Sequence, residues 1–253
     1  MSVLELQRGV IYGPINSRRL GRSLGINLLP ASRKVCTFDC VYCQYGCARA
    51  VSSTGAQSGF ASVSTVLEEV ERAIVRQQTP PDYLTFSGNG EPTLHPQFPE
   101  IVAGVVRLRD RLCPAARVAI LSNSSTAHRP EIRKALGQLD DPIMKLDAGD
   151  PDTLARINRP APGVTLEKIV EGLAKIPHLI VQSMVIAGEP QNAEGEAHEA
   201  WLMTLARLSP EKVQIYTAER PAAESGVRQV SREVLNSLAQ GARERTGVPV
   251  GAY

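Results

Sequence analysis

Apolar positions along the chain follow two alternating patterns. Short, nearly continuous apolar runs predict strands, and the stretches between them carry apolar residues at the three- and four-residue spacing of a helix. The predicted strands are residues 24–29, 83–86, 118–121, 143–147, 179–186 and 213–216. The predicted helices are residues 63–77, 98–112, 131–139, 166–176, 196–208 and 231–245. Strands that alternate with helices predict an α/β fold with parallel pairing and right-handed crossovers.

Six strand–helix units are too few for a closed eight-stranded barrel, and a doubly wound open sheet is the alternative. Polar groups follow the carboxyl ends of successive strands, as Cys36, Gly88, Asn123 and Asp147 do. In an open, doubly wound sheet the site is formed by the few loops near the point where the strand order reverses. In a curved sheet the loops after all of the strands can contribute to one site. The pattern therefore favours a partial (β/α)6 TIM-like barrel with parallel strands.

The chain is expected to form a single domain over residues 1–253. Gly13-Pro14 and the basic residues after it predict an irregular N-terminal lead-in at residues 1–23, and the barrel then occupies residues 24–253. A length of 253 residues is enough to bury a sizeable core.

Composition excludes several classes of protein. The apolar and charged fractions, 43% and 21%, are those of an ordinary globular protein, and the net charge of +2 is too small to argue for nucleic acid or membrane on its own. No apolar run approaches the ~20 residues of a membrane span. An odd number of cysteines, five, fits a reducing compartment, so we expect a cytoplasmic protein without membrane partners.

The candidate chemistry begins with Cys36, Cys40 and Cys43, which are spaced CxxxCxxC directly after the first strand. Three clustered thiols cannot all pair among themselves, because one is left over, so they predict a metal site rather than a disulfide framework. Thiolates suit zinc or an iron–sulfur cluster. A closed structural site needs four protein ligands, whereas a catalytic site keeps one position open. Cys47 could supply a fourth ligand, which would make a non-catalytic electron-transfer or structural zinc module.

Two later segments offer further ligands. In residues 87–92, Gly88 and Gly90 would let the backbone approach a bound molecule, and Glu91 could accept hydrogen bonds from an ammonium group. A tight turn with a surface carboxylate is the other interpretation. Ser122 and Asn123 could bind hydroxyl or carboxylate groups, or simply form a turn.

Lys145 and Asp147 share one face of the fourth predicted strand, because they alternate with apolar residues. Charged groups turned into a barrel would be costly unless they were paired or bound to a ligand. A structural Lys145–Asp147 ion pair and a ligand site are both consistent with the pattern. Gln182 and Gln214 interrupt later strands and are also expected to face the interior.

The cysteine spacing, with Tyr42 just before the last cysteine, resembles the cluster motif of the radical S-adenosylmethionine (SAM) superfamily. Residues 87–92 are similar to that superfamily's Gly-Gly-Glu motif, which Asn89 lengthens. The resemblance implies that Cys36, Cys40 and Cys43 hold a [4Fe-4S] cluster whose fourth iron is chelated by SAM. It further implies that a one-electron donor of the flavodoxin or ferredoxin type reduces the cluster. SAM is then cleaved to methionine and a 5′-deoxyadenosyl radical, which abstracts hydrogen from a substrate.

The resemblance also implies which residues hold SAM: Tyr42, Gly88, Asn89, Gly90, Glu91, Ser122, Asn123, Lys145, Asp147 and Gln182. Residues 13–25, the cysteine loop and residues 87–96 are together similar to a subgroup of iron–sulfur oxidoreductases related to the wyosine-tRNA synthesis enzymes.

The substrate is left open between an RNA base, a peptide and a small molecule. Basic residues near the cysteine loop, such as Arg18, Arg19 and Arg22, favour an anionic partner. The balanced charge and the few aromatic residues argue against nucleic acid.

Overall fold

A computed structural model of the chain describes residues 4–47, 51, 58–219 and 222–253. The strands are β1 (Ile11–Ser17), β2 (Gly21–Ile26), β3 (Tyr83–Phe86), β4 (Arg117–Ser122), β5 (Asp141–Lys145), β6 (Ile180–Gly188), β7 (Lys212–Thr217), β8 (Val227–Gln229) and β9 (Val250–Ala252). The helices are α1 (Val63–Val75), α2 (Phe98–Leu112), α3 (Pro130–Leu136), α4 (Pro151–Ile157), α5 (Leu166–Leu173), α6 (Gly195–Leu208) and α7 (Arg232–Thr246). A single 3₁₀ turn, Pro92–Leu94, follows β3.

The strands form a sheet in the order β1-β2-β3-β4-β5-β6-β7-β9, with β8 paired to β6. Each neighbouring pair from β2 to β7 is parallel, and β9 continues the parallel pairing beyond β7. Each of the six predicted strands is present, and the predicted parallel α/β fold is confirmed. No helix in the described part of the chain combines the length and the apolar character that crossing a membrane requires.

The two faces of the sheet bury different residues. The outer face packs on the helices through large side chains such as Phe86, Ile120 and Met144, which belong to the main core. The inner face carries a small separate core of Leu20, Ala119, Ile143 and Ile180. Alternation along each strand produces this division, because successive side chains point to opposite faces.

The expected irregular lead-in at residues 1–23 is wrong for its second half. Ile11–Ser17 is β1, which pairs antiparallel with β2, and residues 18–20 form the hairpin turn between them. Most of β1 is exposed. β1 lies at the edge of the sheet and contains Gly13-Pro14, and proline is tolerated in edge strands, so β1 lacks the apolar run that identifies the other strands.

The hairpin turn crosses the inner face from one side of the sheet to the other. Leu20 is 6% exposed and packs on strands β4, β5 and β6. Arg18 donates to both carboxylate oxygens of Glu219, just after β7, at 2.6 and 2.7 Å. The hairpin thus connects the first parallel strand with the far side of the partial barrel.

A second difference lies after β5, where the sequence predicts only a loop. Residues 151–157 form α4, capped by Asp150, whose side chain accepts from the Thr153 N–H at 2.7 Å. The helix is too short for its apolar spacing to be recognised in a long window, although Asp-Pro followed by Thr is a helix-start signal. The end of α4 brings Asn158 to the cysteine loop.

Candidate active site

The cysteine loop is fixed on both sides by backbone hydrogen bonds. On one side the Val35 N–H donates to the Asn89 carbonyl at 3.0 Å, and the Glu91 N–H donates to the Val35 carbonyl at 2.9 Å. On the other, the Val41 N–H donates to the Ile157 carbonyl at 3.0 Å. The loop is therefore held between the carboxyl end of β3 and the end of α4.

Gly88 and Gly90 have φ values of +132° and +143°, which other residues rarely adopt. A Cβ atom on Gly90 would lie 1.9 Å from the Val35 carbonyl oxygen, and one on Gly88 would lie 2.5 Å from the Asn27 Oδ1. Both glycines are thus required by close packing beside the cysteine loop. Their predicted contact with SAM stays a prediction.

Asn89 and Glu91 are both buried and hold the loops of the site together. The Asn89 side chain donates to the carbonyls of Gln7 and Pro30 at 2.9 and 3.1 Å and accepts from the Gln7 N–H at 2.7 Å. Glu91 Oε1 accepts from the Ser122 hydroxyl at 3.0 Å, and Oε2 accepts from the Asn123 N–H at 2.5 Å.

The environment of Glu91 affects its protonation. Burial raises the pKa of Glu91, although several hydrogen bonds to the carboxylate, first among them that of Thr93, oppose the rise. Glu91 thereby links the segment after β3 to the segment after β4, the two places where the sequence predicts SAM-binding residues.

Two asparagines point amide hydrogens at cysteine sulfurs. Asn123 Nδ2 lies 3.4 Å from the Cys36 Sγ, and Asn158 Nδ2 lies 3.4 Å from the Cys40 Sγ. Burial is the main cause that raises the pKa of Cys36 to about 12 and that of Cys40 to about 11. These thiols stay protonated unless a metal compensates the charge of the thiolate.

Lys34 adds a positive charge beside the thiols. Its ammonium group donates to the Gly46 carbonyl at 3.1 Å, and its side chain is only 6% exposed. Burial lowers the pKa of Lys34, but the three neighbouring thiols outweigh it, so that the pKa is raised. A charged lysine stabilises negative charge on bound thiolates.

The donor set fits an iron–sulfur cluster. In residues 4–47, 51, 58–219 and 222–253, no three His, Cys, Asp or Glu side chains already converge as a metal-binding group. Three soft thiolates, N–H donors to two of the sulfurs and a nearby ammonium group are the surroundings in which such clusters are held and tuned.

Cys47 has different neighbours. It is exposed, and after burial the groups that raise its pKa most are the carboxylates of Asp39 and Glu224. Both carboxylates are paired, Asp39 with Lys34 at 3.5 Å and Glu224 with Arg159. Cys47 therefore differs from the half-buried Cys36 and the buried Cys40 mainly in its exposure.

Asp147 is the centre of a buried polar network under the cysteine loop. It accepts from the Tyr42 hydroxyl, from Asn158 Nδ2 at 2.7 Å and from the Met184 N–H at 2.8 Å. Lys145 Nζ lies 3.5 Å from Asp147 Oδ1, the oxygen that accepts from Met184. The predicted Lys145–Asp147 pair is thus present, and it brings Tyr42 and strand β5 together.

Lys145 also reaches the last strands of the barrel. Its ammonium donates to the Tyr216 hydroxyl at 3.2 Å, and that hydroxyl donates to Gln182 Oε1 at 3.3 Å. Burial lowers the pKa of Lys145, but Asp147 and further groups outweigh it and raise the pKa well above its ordinary value. The ammonium is therefore charged at neutral pH.

Asn158 is a site residue that the sequence did not reveal. Its Nδ2 contacts Cys40, Tyr42 and Asp147, and it is completely buried. In the sequence it stands in an apparent loop, Arg-Ile-Asn-Arg-Pro. Recognising α4 would have placed it at the end of a helix, but not against the cysteine loop.

Comparison with known proteins places these features in a family. The model of the Radical SAM superfamily matches residues 33–199, which include the three clustered cysteines and segments after four of the strands. A UPF0026 protein of Synechocystis sp. is 33% identical over 95% of this chain and 83% of its own length. A UPF0026 protein of Methanocaldococcus jannaschii is 34% identical over 90% of this chain and 70% of its own length.

A solved structure described as TYW1 with a lysine-pyruvate adduct bound has a similar fold. Its TM-score is 0.63 at 15% identity, and the match covers 88% of this chain and 73% of that one. At this identity the likeness concerns the fold alone. Taken with the match over residues 33–199 and the two UPF0026 relatives, it leads to one conclusion: the chain is an enzyme of the radical SAM superfamily and groups with the UPF0026 proteins.

Proposed function

We propose that Cys36, Cys40 and Cys43 hold a [4Fe-4S] cluster whose open iron binds SAM, and that the resulting radical abstracts hydrogen from a substrate in the barrel. The bound pair of cofactors supplies one-electron cleavage of SAM to methionine and a 5′-deoxyadenosyl radical. The chain's own residues bind, orient and enclose these groups. The observation that carries the proposal is the pair of asparagine N–H donors aimed at Cys36 and Cys40.

The proposed SAM site lies where the loops after β3, β4 and β5 meet the cysteine loop. Gly88 and Gly90 keep the backbone there free of side chains, and Glu91 fixes Ser122 and the Asn123 backbone. Of the predicted ligands, Asn89 is fully occupied in holding residues 7 and 30, so we assign it a positioning role.

The deeper residues of the proposed site control charge and shape. Tyr42 and Asp147 are hydrogen-bonded to each other, and Lys145 is 5.2 Å from the Tyr42 ring centre. With Gln182 these residues would form the side of the proposed SAM site that faces the barrel interior.

Enzymes of this superfamily need an electron donor as well as a substrate. We assign the donor to the flavodoxin or ferredoxin type, because the cluster accepts single electrons at low potential. A reduced cluster and free thiols require a reducing compartment, and we therefore place the enzyme in the cytoplasm.

The test is anaerobic reconstitution of the cluster, followed by measurement of 5′-deoxyadenosine and of the cluster's EPR spectrum with and without SAM. We expect SAM to change the spectrum, and each of Cys36→Ala, Cys40→Ala and Cys43→Ala to abolish 5′-deoxyadenosine. Cys47→Ala and Cys113→Ala are the matched thiol controls and should retain it.

A different result would support the non-catalytic module. If adding SAM leaves the EPR spectrum unchanged and the Cys47→Ala variant loses the metal, then Cys47 is a fourth ligand. The proposal of a cluster with an open iron then fails. Continued 5′-deoxyadenosine formation in all three cluster-cysteine variants would refute it as well.

A further inference from the structure

We propose that the inner face of the barrel below the cysteine loop contains a subsite for an anionic group of the substrate, a carboxylate or phosphate, bound by Arg19, Lys145 and Gln182. The inference rests on the proposed function, because it names the substrate class of the same site.

Two hydrogen-bond donors on this face have no partner. Arg19 Nη1 and Gln182 Nε2 are buried atoms without a hydrogen bond to any described residue. The Gln182 residue is only 5% exposed, and it lies on a central strand of the barrel. Buried polar atoms are nearly always paired, so unpaired donors inside a barrel mark a place where a ligand or water supplies acceptors.

The unpaired donors and Lys145 gather around one side chain, Tyr216. The Arg19 guanidinium lies 4.6 Å above the Tyr216 ring. The Tyr216 hydroxyl accepts from Lys145 at 3.2 Å and donates to Gln182 at 3.3 Å. Donors from the hairpin turn, β5 and β6 therefore face the same part of the barrel interior.

The charges of these side chains favour an anion. Arg19 and Lys145 are positive, but Asp147 faces Lys145 and offsets its charge, so the surplus positive charge on this face is that of Arg19. The neighbouring Arg18 is neutralised by Glu219. Surplus donors with surplus positive charge bind carboxylate or phosphate oxygens.

The apolar core of the inner face limits the depth of the subsite. Leu20 closes the interior with Ile143 and Ile180. Lys145 and Gln182 pair with each other in the sheet and lie two residues beyond Ile143 and Ile180, towards the cysteine loop. A group bound by Lys145 and Gln182 would therefore lie between this floor and the proposed SAM site, which is why we propose a small anionic group.

Gln214 refines the chemistry. It is paired with Gln182 in the sheet, and its Oε1 is a buried acceptor without a partner among the described residues. A hydroxyl or amide hydrogen beside the anionic group would satisfy it. We therefore infer a carboxylate or phosphate that has a hydrogen-bond donor next to it.

The test measures the melting temperature of the reconstituted, SAM-loaded enzyme with glycolate, acetate or inorganic phosphate, each against chloride at equal ionic strength. At about ten times its Kd, a bound anion should raise Tm by about 3 °C. A larger rise in Tm with glycolate than with acetate would indicate that the subsite binds a carboxylate with an adjacent hydrogen-bond donor. A larger rise with phosphate than with either would indicate that it binds a phosphate.

Variants locate the binding. Arg19→Gln and Gln182→Leu should each lose the shift. The second removes an amide whose Nε2 has no partner and whose Oε1 accepts one hydrogen bond, from Tyr216 at 3.3 Å, and replaces it with an apolar side chain of similar size, so it should fold. Arg107→Gln removes an exposed arginine from the outer helix α2 and should retain the shift.

Two outcomes would overturn the proposed subsite. In the first, none of the three anions raises Tm more than chloride does. In the second, Arg19→Gln and Gln182→Leu both keep the wild-type rise in Tm. Failure of the proposed function is seen separately, as missing 5′-deoxyadenosine in an enzyme whose anion-dependent shift is intact.

Discussion

Asn158 shows how much one side chain contributes to this site. Its Nδ2 lies 3.4 Å from the Cys40 sulfur, 3.1 Å from the Tyr42 hydroxyl and 2.7 Å from the Asp147 carboxylate. An amide nitrogen has two hydrogens, so it serves these three acceptors by sharing. The same residue therefore influences both the cluster ligand and the buried polar network beneath it.

Asn158→Ala should lower the reduction potential of the reconstituted cluster, because an N–H donor to a ligand sulfur stabilises the reduced state. It should also reduce the free energy of unfolding by about 1–3 kcal/mol, since buried acceptors lose their donor. Redox titration followed by EPR measures the first effect, and chemical denaturation measures the second.

Asn192→Ala is the matched control for that experiment. Asn192 is also buried and donates to the carbonyls of Asp147 and Met184, both at 2.8 Å, not to a thiol. It should lose stability without a change in potential. Equal shifts of potential in both variants would show that Asn158 acts only through the fold.

At the scale of elements, the β1–β2 hairpin is the part that completes the barrel interior. Its turn supplies Leu20 to the inner core, Arg19 to the Tyr216 ring and Arg18 to Glu219. The exposed ion pair contributes little free energy, so burial of Leu20 holds the hairpin in place.

Leu20→Ala should reduce the free energy of unfolding by about 2–4 kcal/mol, because it leaves a cavity beside Ile143 and Ile180. Chemical denaturation checks the value. Val234→Ala, which truncates a 44%-exposed side chain on α7, should change it by less than about 0.5 kcal/mol. A Leu20→Ala variant as stable as the wild type would mean that the turn does not pack in the barrel.

The elements show what the sequence can predict. The buried strand β4 has a continuous apolar run, and the sequence predicts it within a few residues of its bounds. The sequence predicts β5 as closely, from apolar residues that alternate with Lys145 and Asp147. The edge strand β1 has no such run, and α4 is too short to show helical spacing. Both elements are stabilised by contacts with residues distant in the sequence, and these contacts cannot be recognised from a local pattern of apolar residues.

The same limit applies to the site. Spacing identifies Cys36, Cys40 and Cys43, because the ligands are neighbours in the chain. Asn158 lies 118 positions from Cys40, and Arg19 reaches Tyr216 across the barrel. Such pairs follow from the topology of the whole sheet, so sequence spacing could not reveal them.

At the scale of the whole molecule, the end of the barrel opposite the cysteine loop is held by charged groups around Asp141. Its carboxylate accepts from Arg117 at 2.9 and 3.0 Å and from the Tyr83 hydroxyl at 2.6 Å, which joins β3, β4 and β5. Burial raises the pKa of Asp141, but the hydrogen bonds from Arg117 and Tyr83 outweigh it and lower the pKa below its ordinary value.

This lowered pKa makes the stability dependent on pH. The ionised Asp141 contributes fully above its unfolded pKa of about 4, and the contribution is lost as the pH falls through the lower folded value. Asp141→Asn should therefore cost about 1–3 kcal/mol of unfolding free energy at pH 7 and progressively less below about pH 4.

Denaturant unfolding of both proteins across this pH range gives the measurement. Asp110→Asn, at a carboxylate that is 61% exposed and pairs with Arg109, is the control and should have a small effect at each pH. A difference between Asp141→Asn and the wild type that stays constant into acid would contradict the assignment.

The contact between Arg18 and Glu219 spans 201 positions of the chain. During synthesis at roughly 5–20 residues per second, Glu219 is added roughly 10–40 s after Arg18. The ion pair therefore forms only after residue 219 has been made, whereas the strands on which Leu20 packs end at residue 188. Docking of Leu20 on β4, β5 and β6 can thus precede the contact of the turn with Glu219 by the time needed to synthesise the residues between them.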